Sequence, residues 1–91
     1  MNPELSIIVP IYNEAPIISE LYNRVTQSVS GITKSYEILF VNDGSKDSSI
    51  QELKKIATTD SHVLYINFSR NFGHQIAVTA GLHYAKGNAI V

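Results

Sequence analysis

Short apolar runs alternate along the chain with longer segments that have helical periodicity. The runs at 5–9, 36–41 and 63–68 are rich in β-branched or aromatic residues, so each predicts a strand. The first run is nearly continuous, as expected for a strand that is buried on both faces. Residues 88–91 look like the beginning of a fourth strand.

The segments between these runs predict three helices. The first helix carries an apolar residue at every fourth position, at Ile17, Leu21, Val25 and Val29, and Ile18 and Tyr22 widen this stripe. Pro16 suits its first turn, where the missing N–H is not needed. Either Ser48 or Ser49 can begin the second helix in a capping box with a residue three positions later. Small residues in the third helix, from about 74 to 86, would let it approach the sheet closely.

The order of elements is therefore βαβαβαβ, which implies an α/β fold with a parallel sheet and right-handed crossovers. The chain has 91 residues, which is small for one domain, and it shows no linker or internal repeat. Because a natural chain rarely stops inside a core strand, we expect residues 1–91 to be the N-terminal part of something longer. The alternative is a short edge strand that closes a minimal domain.

The composition excludes several classes of protein. The formal net charge is -1 at pH 7, so nothing indicates binding to nucleic acid or to an anionic membrane. The chain has no cysteine, which excludes disulfides and thiolate metal sites and fits a cytosolic location. No apolar stretch reaches the ~20 residues of a membrane helix, and no basic segment of a secretory signal precedes the first apolar run.

Polar residues cluster where each predicted strand ends, at 12–14, 43–45 and 69–71. Because all strands of a parallel sheet end on the same edge, these clusters are expected to meet there, where α/β proteins bind ligands. Their carboxylates can accept hydrogen bonds from a base or a sugar, and Arg70 can bind a phosphate. Gly44 would let a ligand come close to the backbone. The sequence thus predicts a nucleotide-sized site.

Each of these residues also has a purely structural interpretation. Asp43-Gly44 is a common turn pair, Tyr12 can be an ordinary half-buried tyrosine, and Arg70 can be a solvated loop cation. Replacement of Asp43 by alanine would separate the two interpretations, since it costs little stability unless the carboxylate is structural. The histidines lack the spacing of a metal site, and the chain has no glycine-rich phosphate loop. The convergence on one edge, rather than any single residue, favours a ligand site.

Three stretches resemble the signatures of family 2 of the inverting glycosyltransferases, which have the GT-A fold. Residues 6–14 (SIIVPIYNE) resemble the opening strand of that family, and residues 41–49 (VNDGSKDSS) resemble its second signature. Residues 68–75 (FSRNFGHQ) are similar to the polyprenyl-phosphate glycosyltransferases, which include bactoprenol glucosyltransferases and dolichol-phosphate mannose synthases. The resemblance implies a Rossmann-like parallel sheet that forms the N-terminal, nucleotide-binding half of a GT-A fold. Residues 1–91 would be the nucleotide-sugar-binding part of a longer glycosyltransferase domain.

The resemblance also implies roles for individual residues, which fall into two groups. The first group would hold the nucleoside of a nucleotide-sugar, and the second would face its diphosphate or the phosphate of a lipid acceptor. The first group consists of Pro10, Tyr12, Glu14, Asp43, Gly44 and Ser45. The second group consists of Arg70, Asn71, Gly73 and Gln75. The resemblance assigns no catalytic residue and no metal ligand within this chain.

The implied reaction moves a hexose from a nucleotide-sugar to a polyprenyl phosphate with inversion, in cell-envelope or glycan biosynthesis. UDP-glucose is the favoured donor. A divalent metal, Mg or Mn, is expected to stabilise the departing diphosphate. Its D-x-D motif is expected just after the fourth strand, beyond this chain. The fragment is therefore expected to be soluble and inactive by itself, whereas the full-length enzyme would act at the cytoplasmic face of a membrane.

Two other functions remain open at this point. The chain can be a nucleotide-binding or interaction module without turnover, which the missing metal motif favours. It can also belong to an enzyme like dolichol-phosphate mannose synthase, which would use GDP-mannose. Binding measurements with UDP, GDP and their sugars distinguish these cases.

Overall fold

The structure is a computed structural model that describes residues 3–87 and 89–90. Its elements follow the predicted order βαβαβαβ, which confirms the α/β class. The strands are β1 (Leu5–Ile11), β2 (Tyr36–Asn42), β3 (Val63–Asn67) and β4 (Ala89–Ile90). The helices are α1 (Ala15–Ser30), α2 (Ser49–Thr59) and α3 (His74–Tyr84).

The four strands run parallel, in the spatial order β3-β2-β1-β4. The register pairs Ile11 with Asn42 and Asn42 with Asn67, so β1, β2 and β3 end level with one another. The loops that follow these three strands therefore start from a common edge of the sheet, the C-terminal edge. This arrangement confirms the predicted meeting of the three loops.

Strand β2 lies between two apolar layers, one on each face of the sheet, and all of its residues are buried. One face of the strand, with Ile38 and Phe40, belongs to the core that it forms with α1 and α2. The opposite face, with Leu39 and Val41, packs together with Ala77 of α3. Because helices cover both faces, β2 reads in the sequence as a nearly continuous apolar run instead of an alternating one.

Helix α3 comes very close to the sheet at Gly81. A Cβ atom placed on Gly81 would lie 2.4 Å from Cγ2 of Ile8 in β1, so either the Ile8 side chain or the helix would have to move to admit a side chain there. Ala77, one turn earlier, is fully buried against the same face of the sheet. The prediction that small residues bring this helix close to the sheet is confirmed.

Two predicted details of the other helices are wrong. Ile17 is 45% exposed, whereas the rest of the predicted stripe faces the core: Ile18 and Val29 are buried, and Leu21, Tyr22 and Val25 pack against them. No side chain closes α2 in a capping box. The carboxylate of Asp47, in the loop before the helix, bonds to the start of the helix instead. It accepts hydrogen bonds from the backbone N–H and the hydroxyl of Ser49.

A carboxylate joins three elements at the opposite edge of the sheet. Asp60, which follows α2, accepts a hydrogen bond from the hydroxyl of Tyr22 in α1. It also lies 2.9 Å from the backbone N and 3.0 Å from Nδ1 of His62, whose ring stacks on Tyr36 at the start of β2. Burial by itself would raise the pKa of Asp60, but the hydrogen bonds from Tyr22 and His62 outweigh it and hold this pKa below its ordinary value.

This cluster makes the stability depend on pH at the acid end. Because folding lowers the pKa of Asp60, its contribution is present above the ordinary value of 3.8 and is lost as the pH falls towards the folded-state value. We expect Asp60→Asn to lower the free energy of unfolding by about 1 kcal/mol at neutral pH, and by much less once the pH has fallen below the folded-state pKa of Asp60. Urea denaturation at several pH values measures this difference. Glu20→Gln, at an exposed position of α1, is the control, and a pH-independent effect of Asp60→Asn would contradict the prediction.

Candidate functional site

Two adjoining clefts open at the C-terminal edge of the sheet. The first cleft has a volume of about 340 Å³ and is lined by Pro10, Ile11, Tyr12, Glu14, Asp43, Asn71 and Gly73. The second cleft has a volume of about 450 Å³ and is lined by Tyr12, Gly44, Ser45, Lys46, Ile50, Phe68, Ser69, Arg70 and Asn71. Tyr12 and Asn71 belong to both linings, so the clefts share a wall.

The structure brings nine of the ten predicted site residues into these two linings. The exception is Gln75, which is exposed in the first turn of α3 and lines neither cleft. The roles assigned to the ten residues stay predictions. Lys46 is a lining residue that the sequence reasoning missed, although it directly follows the predicted residue Ser45.

Another cavity, of about 350 Å³, lies at the opposite edge of the sheet. Its lining includes Tyr36, Glu37 and His62, and two of these residues belong to the structural cluster around Asp60. Ligands of parallel sheets bind outside the carboxyl ends of the strands, which is the other edge. The two clefts are therefore the candidate site.

Reciprocal hydrogen bonds fasten the loop after β1 to the loop after β2. Oγ of Ser45 accepts a hydrogen bond from the backbone N–H of Asn13 at 2.9 Å, and Oδ1 of Asn13 accepts one from the backbone N–H of Lys46 at 2.7 Å. Asn13 has a left-handed φ of 51°, a conformation that asparagine adopts more readily than most residues. Ser45 thus connects two walls of the site, a contact that the sequence did not predict.

Asp43 holds the loop after β3 against the end of β2, and only 3% of it is exposed. Its Oδ1 accepts a hydrogen bond from the backbone N–H of Phe72 at 2.8 Å. Its Oδ2 accepts hydrogen bonds from the backbone N–H of Gly73 at 3.0 Å and from Nδ2 of Asn71 at 3.1 Å. These donors directly precede α3, whose positive N-terminal end favours a nearby carboxylate. We call this set of hydrogen bonds the Asp43 clamp.

Gly44 allows the same two loops to touch. It has a φ of +73°, and a Cβ atom placed on it would lie 2.2 Å from the carbonyl carbon of Arg70 and 2.3 Å from the backbone N of Asn71. The space beside its Cα atom is therefore filled by the backbone of the neighbouring loop, where the sequence had suggested room for a ligand. Glycine is required at this position by the contact between the loops.

Aromatic rings support the loop that carries Arg70. The guanidinium carbon of Arg70 lies 4.7 Å from the centre of the Phe72 ring, within the range of a cation–π contact. Phe72 in turn meets Phe68 edge to face, with 5.5 Å between the ring centres. The stacking restricts the guanidinium while its edge remains free to donate hydrogen bonds to an anion.

The two clefts differ in charge. The lining of the first cleft has the carboxylates of Glu14 and Asp43 and no lysine or arginine. The lining of the second cleft has Lys46 and Arg70 and no carboxylate. The first cleft is suited to groups that donate hydrogen bonds, such as the N–H of a base or the hydroxyls of a sugar, and the second to an anion.

Within residues 3–87 and 89–90, no group of three or more histidine, aspartate or glutamate side chains could hold a metal ion. These residues thus do not by themselves form the divalent metal site that the family resemblance implies. We therefore derive no chemical step through a metal from this chain.

Comparisons with known protein sequences agree on one family. The family model described as "Glycosyl transferase family 2" matches residues 6–91. The chain is 54% identical over 88 residues to the "Uncharacterized glycosyltransferase YkcC" of Bacillus subtilis (strain 168), which covers 97% of this chain and 27% of that protein. It is 36% identical over 89 residues to the undecaprenyl-phosphate 4-deoxy-4-formamido-L-arabinose transferase of Salmonella choleraesuis (strain SC-B67). This match also covers 97% of this chain and 27% of that protein. The chain therefore spans about a quarter of the length of these relatives.

Two solved structures have a similar fold. The crystal structure of S. aureus TarS 1-349 matches with a TM-score of 0.80 and 26% identity, over 100% of this chain and 27% of that one. The mannosyltransferase PcManGT from Pyrobaculum calidifontis, in complex with GDP-Man and Mn2+, matches with a TM-score of 0.76 and 23% identity, over 93% of this chain and 25% of that one. Both neighbours have a GT-A fold, which confirms the predicted Rossmann-like fold class.

Proposed function

Since the chain belongs to glycosyl transferase family 2, we propose that residues 1–91 are the donor-binding part of an enzyme that moves a sugar from a nucleotide-sugar to a polyprenyl phosphate. The observation that carries this proposal is the convergence of three loops on two adjoining clefts of opposite charge. The similarity to a transferase named for undecaprenyl phosphate supports the class of acceptor.

In this proposal the nucleoside occupies the first cleft. Tyr12 is 44% exposed at the wall between the clefts, so its ring is available to stack on a base. The carboxylate of Glu14 lines the same cleft and can accept a hydrogen bond from a sugar hydroxyl. Arg70 and Asn71 lie towards the phosphates, as the resemblance implies.

The proposed reaction is an in-line displacement that inverts the anomeric carbon. The acceptor phosphate is already an anion, so it needs little help from a general base. The difficult part is the departure of the nucleoside diphosphate, whose growing negative charge has to be stabilised. We propose a hexose as the transferred sugar and UDP-glucose as the donor, while the relative named above acts on an arabinose derivative.

Because a polyprenyl phosphate is a membrane lipid, the proposed reaction takes place at a membrane, and we propose the cytoplasmic face. In the part of the chain that the structure describes, no helix has both the length and the apolar character needed to cross a bilayer. We propose that the loops of the C-terminal edge face the phosphate of the lipid, as the family resemblance implies for Arg70 and Asn71.

Tyr12→Ala should weaken the binding of UDP-glucose at least about fivefold, because a base that stacks on an aromatic ring gains about 1–3 kcal/mol. Isothermal titration calorimetry with UDP, UDP-glucose, GDP and GDP-mannose measures this loss and identifies the preferred base. Tyr84→Ala is the matched control, since Tyr84 is an exposed tyrosine on α3 that lines neither cleft. Equal losses in both variants, or no binding of any of these nucleotides, would contradict the proposal.

A further inference from the structure

We infer that Ser6 in β1 and Glu37 in β2, which we call the buried pair, position an outer wall of the first cleft by fixing the register in which β4 pairs with β1. The inference rests on the proposed function, in which the first cleft holds a nucleotide-sugar. Neither residue lines that cleft, so the buried pair acts through β4, as a positioning device and not as a binding group.

Two backbone N–H groups just before β4 donate to the buried pair. Ser6 and Glu37 lie opposite each other in the register of β1 and β2, and the hydroxyl of Ser6 donates to Oε2 of Glu37. The same oxygen accepts a hydrogen bond from the backbone N–H of Lys86 at 2.7 Å, and Oγ of Ser6 accepts one from the backbone N–H of Gly87 at 2.8 Å. Ser6 is fully buried and Glu37 is 6% exposed, so water cannot readily replace these partners.

Gly87 makes this contact specific for one register. A Cβ atom placed on Gly87 would lie 2.6 Å from the backbone N of Ser6 and 2.8 Å from the carbonyl carbon of Leu5. Both are backbone atoms, which cannot rotate away as the end of a side chain can. A shift of one residue would bring Lys86 or Asn88 to this place, and both have a Cβ atom. The chain before β4 therefore fits against the buried pair in one position.

Strand β4 itself contains little information about its register. The structure describes two paired positions, Leu5 with Ala89 and Ser6 with Ile90. Residues 89–91 (AIV) are all apolar, so no alternation of polar and apolar residues distinguishes one register from the next. Buried polar contacts can fix the register between two elements. The buried pair supplies that contact here.

The register of β4 decides which side chains the following segment brings to the first cleft. Strand β4 lies beside β1, on the side away from β2, and runs parallel to it, so its continuation ends next to the loop that carries Tyr12 and Glu14. Ile11, where β1 ends, lies five residues after Ser6, so the continuation reaches that edge five residues after Ile90. A shift of one residue would turn every following side chain to the other face of the sheet.

The first cleft needs such a wall to hold a nucleotide-sugar. Among the described residues, its lining has the carboxylates of Glu14 and Asp43 and no lysine or arginine. Groups that stabilise the negative charge of a diphosphate therefore have to come from outside this lining. The segment after β4 borders the cleft beside the loop after β1, and it is placed to supply them.

Nuclear magnetic resonance of the chain tests the register directly. In the unaltered chain, nuclear Overhauser effects between backbone protons should connect Leu5 with Ala89 and Ser6 with Ile90. We expect Ser6→Ala and Glu37→Leu to remove these contacts of β4, while the contacts between β1 and β2 remain. The remaining contacts show at the same time that each variant is folded.

Three further variants complete this test. Gly87→Ala should also remove the contacts of β4, because the added Cβ atom blocks the approach of the chain to β1. Glu37→Gln keeps a side-chain oxygen that accepts both hydrogen bonds, so it should retain the contacts. Tyr22→Phe is the control, since it removes the hydrogen bond to Asp60 at the same edge of the sheet, away from β4. If Glu37→Leu does not fold, Ser6→Ala and Gly87→Ala decide the question.

Nucleotide binding by the full-length protein tests the effect on the site. In the proposed function uridine occupies the first cleft alone, whereas the diphosphate of UDP extends towards the segment after β4. Ser6→Ala should weaken the binding of UDP about tenfold, as for the loss of one hydrogen bond to a charged group, and leave that of uridine nearly unchanged. A residue that only stabilises the fold would not separate these two ligands. Isothermal titration calorimetry measures both affinities.

Several outcomes would overturn the inference. If the contacts of β4 persist in both Ser6→Ala and Gly87→Ala, or disappear in Tyr22→Phe as well, the buried pair does not set the register. If Ser6→Ala weakens uridine and UDP by the same factor, the pair only stabilises the fold, and the proposed donor site stands. If the unaltered protein binds neither ligand while Ser6→Ala loses the contacts of β4, the proposed donor site fails and the inference about the register stands.

Discussion

Gly44→Ala is expected to lower the free energy of unfolding by about 3 kcal/mol, through backbone strain and overpacking together. The φ of +73° is unfavourable for any residue with a Cβ atom. The added Cβ would lie 2.2 Å from the carbonyl carbon of Arg70, and a backbone atom cannot rotate away as the end of a side chain can. The loop after β3 has to move, which also deforms the second cleft.

Two other glycines separate these causes in urea denaturation experiments. Gly73→Ala carries strain alone, because Gly73 has a φ of +101° but no atom within 4 Å of the added Cβ. Gly31→Ala carries neither cost, since Gly31 has a right-handed φ of -76° and its nearest neighbours lie 3.8 Å away. We expect the loss of stability to decrease from Gly44 to Gly73 to Gly31. A loss at Gly44 no larger than that at Gly73 would show that the two loops are not in contact.

The fold could be predicted because its signals are local in the sequence. Each apolar run is long enough for a strand, and residues with turn chemistry follow it directly, as Asp43-Gly44 do after β2. Alternation of strands with helices then fixes a parallel sheet, and a parallel sheet fixes the edge at which the loops meet. The position of the site followed from these steps without knowledge of any contact.

The buried face of α1 shows how far helical periodicity can predict burial. An α-helix has 3.6 residues per turn, so residues spaced four apart move gradually around the helix. The spacing alone therefore does not determine which of them face the core. The packing of the helix against the apolar core decides which residues are buried, and this packing buries Ile18 while its neighbour Ile17 stays exposed. The sequence contains two adjacent isoleucines at this point and no signal that distinguishes them.

Polar contacts inside the sheet were not predictable. Ser6 of β1 lies opposite Glu37 of β2 in the register, and both are buried, with the hydroxyl of Ser6 donating to the carboxylate of Glu37. The carboxylate also accepts a hydrogen bond from the backbone N–H of Lys86, and Oγ of Ser6 accepts one from the backbone N–H of Gly87. The sequence does not show which backbone N–H groups will donate to a given side chain. A buried acceptor that is satisfied by backbone donors therefore cannot be distinguished in the sequence from an exposed polar residue.

The dependence on backbone donors also explains why the sequence could not decide whether Asp43 binds a ligand or has a structural role. It placed this carboxylate correctly at the mouth of the sheet, where a ligand or a structural partner could use it. Two of its three donors are backbone N–H groups, from residues that follow it by 29 and 30 positions in the chain. Only the packing of the loop after β3 against β2 brings those donors within reach.

Asp43→Ala should lower the free energy of unfolding by about 2–4 kcal/mol, because it leaves several partly buried donors without their acceptor. It should also accelerate hydrogen exchange at the amides of Phe72 and Gly73, which donate to this carboxylate. The binding of nucleotides in the first cleft should weaken as a consequence, since Asn71 and Gly73 form part of its wall.

Glu14→Gln is the matched control for Asp43→Ala. Glu14 lines the same cleft, but its carboxylate accepts a single backbone hydrogen bond, from Tyr12 at 3.3 Å, so the variant should lose little stability. If Asp43→Ala abolishes nucleotide binding while stability and amide exchange stay unchanged, the carboxylate contacts the ligand and the clamp is not its function. If stability, amide protection and binding fall together, Asp43 serves the site by holding the loop that forms its wall.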